Sequence, residues 1–123
     1  SHLEFTVCDA TNLVPFVANE FDVALMTLAL HQFPPHLYKP ILSEMKRVAQ
    51  RIIIVDYRVP LPKNFAGCGS RIAEFMAGVE HHRNFKSYYK KGGINQILTD
   101  NGLTITKSML IRKDAFQVST CQF

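Results

Sequence analysis

An aspartate, a threonine and a histidine each stand where an apolar run ends, and side chains placed this way could do chemistry. Asp9 closes Phe5-Thr6-Val7-Cys8, Thr27 follows Val23-Ala24-Leu25-Met26, and His31 follows Leu28-Ala29-Leu30. If the runs are strands of an open α/β sheet, their carboxyl ends form the edge where ligands bind. An ionised carboxylate there only accepts hydrogen bonds, which suits a ligand N–H donor; the bland alternative for Asp9 is a turn cap on its own backbone. His31 is expected at the mouth of a cleft, where its near-neutral pKa suits a general base or the orientation of an acidic substrate oxygen. A histidine so placed is more often structural and bonded to loop carbonyls. Tyr57 and Arg58 follow the run Ile52-Ile53-Ile54-Val55-Asp56. They are candidates to line an acceptor pocket or to anchor a loop, and the guanidinium suits a carboxylate or phosphate. His81 and His82 are adjacent, so on a helix they diverge by about 100° and make a poor metal site. The three cysteines, Cys8, Cys68 and Cys121, are widely spaced. That spacing predicts neither a zinc site nor a disulfide framework, but the reduced thiols of a cytoplasmic protein.

The second and third runs are continuous rather than alternating, as in strands buried on both faces of a parallel sheet. Between them Ile41, Leu42, Met45, Val48 and Ala49 make one stripe, predicting a helix over roughly Tyr38 to Ala49 whose start is confined by Pro34, Pro35 and Pro40. Strand, helix and strand compose a right-handed βαβ unit. Pro60, Pro62, Gly67 and Gly69 mark a long connection, and an amphipathic stretch follows over about Ser70 to Glu80. A further helix is predicted from Phe85 to Asn101, with a break at Gly92-Gly93 and Gly102 as its C′ residue. Leu103 to Leu110 and Ala115 to Cys121 alternate like a β-hairpin turning near Lys113-Asp114. The 123 residues read as one domain of ordinary globular composition, with 47% hydrophobic and 20% charged residues. A formal charge of +4 does not call for nucleic acid, and Arg83, Lys86, Lys90 and Lys91 read as a solvated helix face. No apolar run is long enough to cross a membrane, and Ser1-His2-Leu3-Glu4 lacks the pattern of a signal peptide.

Taken in order, these segments resemble the class I S-adenosylmethionine-dependent methyltransferases, small-molecule enzymes similar to the quinone-biosynthesis methyltransferases among them. Cys8-Asp9-Ala10-Thr11-Asn12-Leu13-Val14-Pro15-Phe16 resembles that family's G-D-A-x-x-L-P-F segment, with Val14 as an insertion. Phe21 to His31 resembles F-D-V-V-x-x-x-x-A-L-H, and Glu44-Met45-Lys46-Arg47-Val48 resembles E-x-x-R-V ahead of the strand ending at Asp56. The family's glycine-rich turn and its ribose-binding acid have no counterpart in this stretch.

The resemblance implies an α/β fold, a truncated Rossmann-like methyltransferase fold. It would have parallel strands and a C-terminal antiparallel hairpin and lack the first two strands. It implies S-adenosylmethionine as cofactor and a small-molecule methyl acceptor. Asp9 would accept from the adenine amino group, the Ala10 N–H would donate to a ring nitrogen, and Thr27 would touch the methionine portion. Phe16 would pack beside adenine or, more simply, plug the core. His31 is the catalytic candidate, and no metal is implied. The chain alone is expected to be inactive or to need the remainder of the domain. A non-catalytic α/β interaction module that dimerises is the alternative; half of a nicotinamide-dependent dehydrogenase lacks its dinucleotide fingerprint. The strand at Val23 would lack a neighbour, so a homo-oligomer is expected unless the Phe5 strand slides alongside and closes the gap.

Overall fold

The computed structural model describes residues 3–63 and 78–123. Its regular elements are β1 (Phe21–Thr27), α1 (Tyr38–Val48), β2 (Ala49–Tyr57), α2 (Val79–Lys90), α3 (Gly93–Asp100), β3 (Thr104–Ile111) and β4 (Phe116–Gln122). Two short 3-10 turns, Leu30–Gln32 and Pro35–Leu37, lead from β1 into α1.

The four strands form one sheet in the order β1-β2-β4-β3. β1 runs parallel to β2, with Ala24 opposite Ile52 and Met26 opposite Ile54, and α1 makes the crossover. The hairpin β3–β4 is antiparallel and joins through β4, where Cys121 faces Ile52. On one face Ile52, Ile54 and Cys121 meet Ile41, Leu42 and Met45 of α1, Phe85 and Tyr88 of α2, and Ile94, Ile97 and Leu98 of α3. The period of 2 in a strand puts Val23 and Leu25 on the opposite face. They are 43% and 63% exposed, so no described helix covers that side of β1.

The predicted α1 stripe is the buried one. The expected break at the glycine pair separates α2 from α3, since Gly92 and Gly93 both take positive φ (92° and 68°). Gly102 closes α3 as predicted: its N–H donates to Thr99 O (3.1 Å) and that of Leu103 to Leu98 O (2.9 Å), a Schellman cap. Arg112, Lys113 and Asp114, all at positive φ, make the hairpin turn.

Three expectations need correction. Phe5 to Cys8 is not a strand; Phe5 and Val7 are 90% and 103% exposed, and the nearest pairing is a local bridge between Asp9 and Asn12. A single extended segment lacks the cross-strand bonds that define a strand. Second, β1, which ends at Thr27 where Leu28 turns to φ 52°, is not buried on both faces as its continuous run predicted, since Val23 and Leu25 are exposed. Third, the helix expected from Phe85 begins at Val79 and includes His81 and His82. Of the stretch expected over Ser70 to Glu80, residues 70–77 lie outside the described residues, as do Gly67, Cys68 and Gly69.

Candidate functional site

At the carboxyl end of β2, Asp56 is fully buried and takes three hydrogen bonds. Its Oδ1 accepts from Tyr57 N (2.8 Å) and His31 Nδ1 (2.6 Å), and its Oδ2 accepts from His31 N (3.0 Å). The pair therefore ties the first 3-10 turn after β1 to the end of β2. Around the imidazole stand Tyr57 (centroids 4.8 Å apart), Phe85 (5.9 Å), Tyr88 (6.2 Å) and His81 (6.4 Å, stacked). The Tyr88 hydroxyl donates to Tyr57 O (2.6 Å), and Asn84 donates to Gln32 O (2.8 Å), holding α2 against this end of the sheet. Burial first, and the Asp56 charge second, push Tyr38 up to about 12 and Tyr88 well above the ordinary tyrosine range. His31 thus lies in the interior, 1% exposed, and not at the mouth of a cleft as expected. The missed element was its partner: Asp56 ends an apolar run as Asp9 does, and that shared position was the available signal.

A second feature lies beside β1. The loop that follows Asp9, the edge of β1 and the face of α1 enclose an open apolar groove lined by Ala10, Phe16, Phe21, Met26, Ala29 and Phe33, among others. Asp9, at its rim, is exposed and forms the turn foreseen as the bland alternative. Its Oδ1 accepts from Thr11 Oγ1 (2.7 Å) and Thr11 N (2.8 Å), and these bonds, the side-chain one first, hold its carboxyl below the usual range. Phe16 meets Phe21 edge-on at 5.1 Å. The structure therefore places Ala10 and Phe16 in one groove lining, which Asp9, turned onto Thr11, does not join. Thr27 is exposed at the tip of β1, beyond the groove lining, where the Leu28 N–H donates to Val55 O (2.7 Å). Tyr57 is buried and Arg58 half-buried; the Arg58 N–H donates to Ala115 O (2.9 Å), so both anchor the start of the loop after β2.

The loop is held from α1. The Leu13 N–H donates to Glu44 Oε1 (2.7 Å), while Arg47 donates from Nε to Glu44 Oε2 (2.7 Å), from Nη2 to Leu13 O (2.9 Å) and from Nη1 to Phe16 O (2.9 Å). The Arg47 carbonyl in turn accepts from Asn19 N (2.8 Å). The Arg47 and Leu13 bonds hold the Glu44 carboxyl below its usual range, and Glu44 raises Arg47. Sequence reasoning saw these two side chains only as a motif on the polar side of the helix.

Among the described residues, no three of His, Cys, Asp and Glu are grouped to hold a metal ion, and no helix is long and apolar enough to cross a membrane.

A parallel βαβ unit with a groove along its β1 side, extended by an antiparallel hairpin, is part of the Rossmann-like methyltransferase fold. Residues 1–52 match the family described as a methyltransferase domain. No curated protein matches the chain in sequence. Among solved structures, the chain is similar to the PH0226 protein from Pyrococcus horikoshii OT3 at 14% identity and a TM-score of 0.67, covering 99% of this chain and 60% of that one. It is similar to a SAM-dependent methyltransferase from Aquifex aeolicus at 19% identity and a TM-score of 0.58, covering 97% and 55% respectively. It is also similar to OxaC, solved in complex with sinefungin and meleagrin, at 16% identity and a TM-score of 0.63, covering 96% and 29%. The chain thus spans between about a third and three-fifths of the length of these structures. The resemblance read from the sequence motifs is carried by the match over 1–52 and by a fold shared along nearly the whole chain.

Proposed function

We propose that this chain is part of an S-adenosylmethionine-dependent methyltransferase acting on a small molecule. The observation that carries this reading is the apolar groove along β1, with Ala10 and Phe16 in its lining and Asp9 next to Ala10 on the same loop. An acceptor carboxylate, a backbone N–H and an aromatic wall are the groups an adenine ring requires. Bound S-adenosylmethionine would supply a methyl already activated on sulfonium sulfur. The protein's task is then largely alignment of acceptor, methyl and leaving sulfur. Asp9, Ala10 and Phe16 would bind the adenosine end, and Thr27 would approach the methionine end. His31 was the catalytic candidate, but its buried bond to Asp56 favours a positioning role: it fixes the turn that follows Thr27. The chain covers 29% to 60% of the structures it resembles, so on this reading the isolated chain binds the cofactor weakly and needs the remainder of the domain for turnover. We also place the protein in the cytoplasm, following the reading of its cysteines as reduced thiols.

Nuclear magnetic resonance titration of the 123-residue chain with S-adenosylhomocysteine tests this. Amide shifts confined to Asp9–Phe16 and Thr27–Ala29, saturating only near millimolar ligand, are expected. Shifts scattered elsewhere, or none, would overturn the assignment. A second reading, a non-catalytic module that forms homo-oligomers, is favoured by the open edge and exposed Val23 and Leu25 of β1. It requires association without any S-adenosylhomocysteine response.

A further inference from the structure

We infer that Glu44 and Arg47 are positioning residues for the cofactor groove, a clamp by which α1 holds the adenine-side loop through its backbone. The inference rests on the proposed methyltransferase reading. Residues 13, 16 and 19 are each gripped at a main-chain atom: Leu13 through both N–H and carbonyl, Phe16 through its carbonyl, and Asn19 through its N–H. Burial holds the loop only in part, since Leu13 and Phe16 are half-buried while Val14 and Val17 are 72% and 66% exposed. Its remaining bonds are local, as from Phe16 N to Leu13 O and from Val17 N to Glu20 Oε1. The clamp side chains are partly withdrawn from water, Glu44 at 16% and Arg47 at 36% side-chain exposure. The geometry uses a planar fork: one guanidinium serves a carboxylate on one side and two carbonyls on the other, which an ammonium cannot reproduce. Because the grip is on backbone, loop side chains can change freely, and the inserted Val14 bulges outward between two held carbonyls. What rides on this loop is the groove wall, Ala10, Leu13 and Phe16. Moving Arg47 therefore moves the surface on which adenine would rest, while the apolar stripe of α1 that builds the core is untouched.

The test compares the full chain with Arg47→Lys and Glu44→Gln by amide hydrogen exchange, urea unfolding and adenosine titration followed by nuclear magnetic resonance. In Arg47→Lys, charge is kept and the fork is lost. The bonds to the Leu13 and Phe16 carbonyls are lost. Protection of the Leu13 amide, whose Glu44 acceptor loses its own anchor, should therefore fall, while that of Asn19, held by a main-chain carbonyl, falls less. Adenosine affinity should drop about tenfold, the scale of lost charge-assisted hydrogen bonds. The urea midpoint should barely move. Glu44→Gln keeps an acceptor for Leu13 N and should lose less of both. A loop that loosens with adenosine affinity unchanged, or that stays protected in Arg47→Lys, overturns the clamp and leaves the function standing. Absence of any adenosine response in the unmodified chain overturns the methyltransferase reading, and the clamp with it. A lowered urea midpoint with unaltered affinity assigns the pair a purely structural role, against the inference.

Discussion

Asp56 shows how much a single buried carboxylate organises here. Three contacts converge on its two oxygens, and the two from backbone N–H groups, one on each oxygen, tolerate only an acceptor. In Asp56→Asn one oxygen becomes an amide that faces a donor, so a buried hydrogen bond turns into a repulsion. The expected cost is about 1–3 kcal/mol, the range for leaving a buried hydrogen-bonding group unsatisfied, and the shift of a urea midpoint measures it. His31→Phe should cost less, because it leaves Asp56 two backbone donors and keeps a ring among Tyr57, Phe85 and Tyr88. Gly93 gives a second test at this scale. Its φ of 68° and a Cβ position 2.6 Å from the Val59 side chain leave no room for alanine. Gly93→Ala should destabilise the fold by about 1–3 kcal/mol, combining left-handed strain with a clash, again read from urea unfolding. At this scale the sequence was only partly legible. Asp9 and His31 stood out because both end apolar runs. Yet the pairing of His31 with Asp56 spans 25 positions, and the burial of the imaginable base follows from α2 folding over it, which no local pattern announces.

Helices and strands that carry their own signals were readable. The α1 stripe, the glycine break before α3, the Schellman cap at Gly102 and the hairpin all follow from period, positive φ and chain reversal within a few residues. Phe5 to Cys8 has a strand's composition and none of a strand's partners, and composition cannot supply partners. The Glu44–Arg47 clamp escaped for a related reason: polar residues on the solvent side of an amphipathic helix look alike until a loop arrives to meet them. The clamp has a pH signature. Glu44 is held below the usual carboxylate range, chiefly by Arg47, and Asp9 is held below it by Thr11. A carboxylate depressed in the fold stabilises it above its ordinary pKa, and that contribution disappears as pH falls through the folded value. The Leu13 amide, which donates to Glu44, should therefore stay protected near neutral pH and lose protection, ahead of the β2 amides, as pH falls through the lowered Glu44 value. At the alkaline end the sign reverses: Tyr38, raised to about 12, favours the fold below the ordinary tyrosine pKa of 10.0, and that support is lost as pH climbs toward 12. Tyrosinate absorbance rising together with unfolding would show it.

Across the whole molecule the four-stranded sheet is asymmetric. Its described helices pack on one face, and β1 is an outer strand with Phe21, Val23 and Leu25 at 37%, 43% and 63% exposure. Parallel strands ordinarily have both faces covered and an edge that is paired or guarded. Within β1 the one charge is Asp22, and there is no proline or lysine to discourage pairing. Closure by Phe5, the alternative to association, does not occur, and Leu3, Phe5 and Val7 project at 82%, 90% and 103% exposure. The solved structures that share the fold are longer, the chain covering 60% and 55% of two of them. For the 123-residue chain by itself, the exposed edge predicts self-association through β1. Sedimentation equilibrium at micromolar concentration should give a weight-average mass above the 14.0 kDa of one chain, rising with concentration. Leu25→Lys puts a charge on the open face beside that edge and should return the mass to that of a monomer without lowering the urea midpoint. A monomer at every concentration, with the β1 amides protected from exchange on both sides, would mean that the edge is covered within one chain and would defeat the prediction.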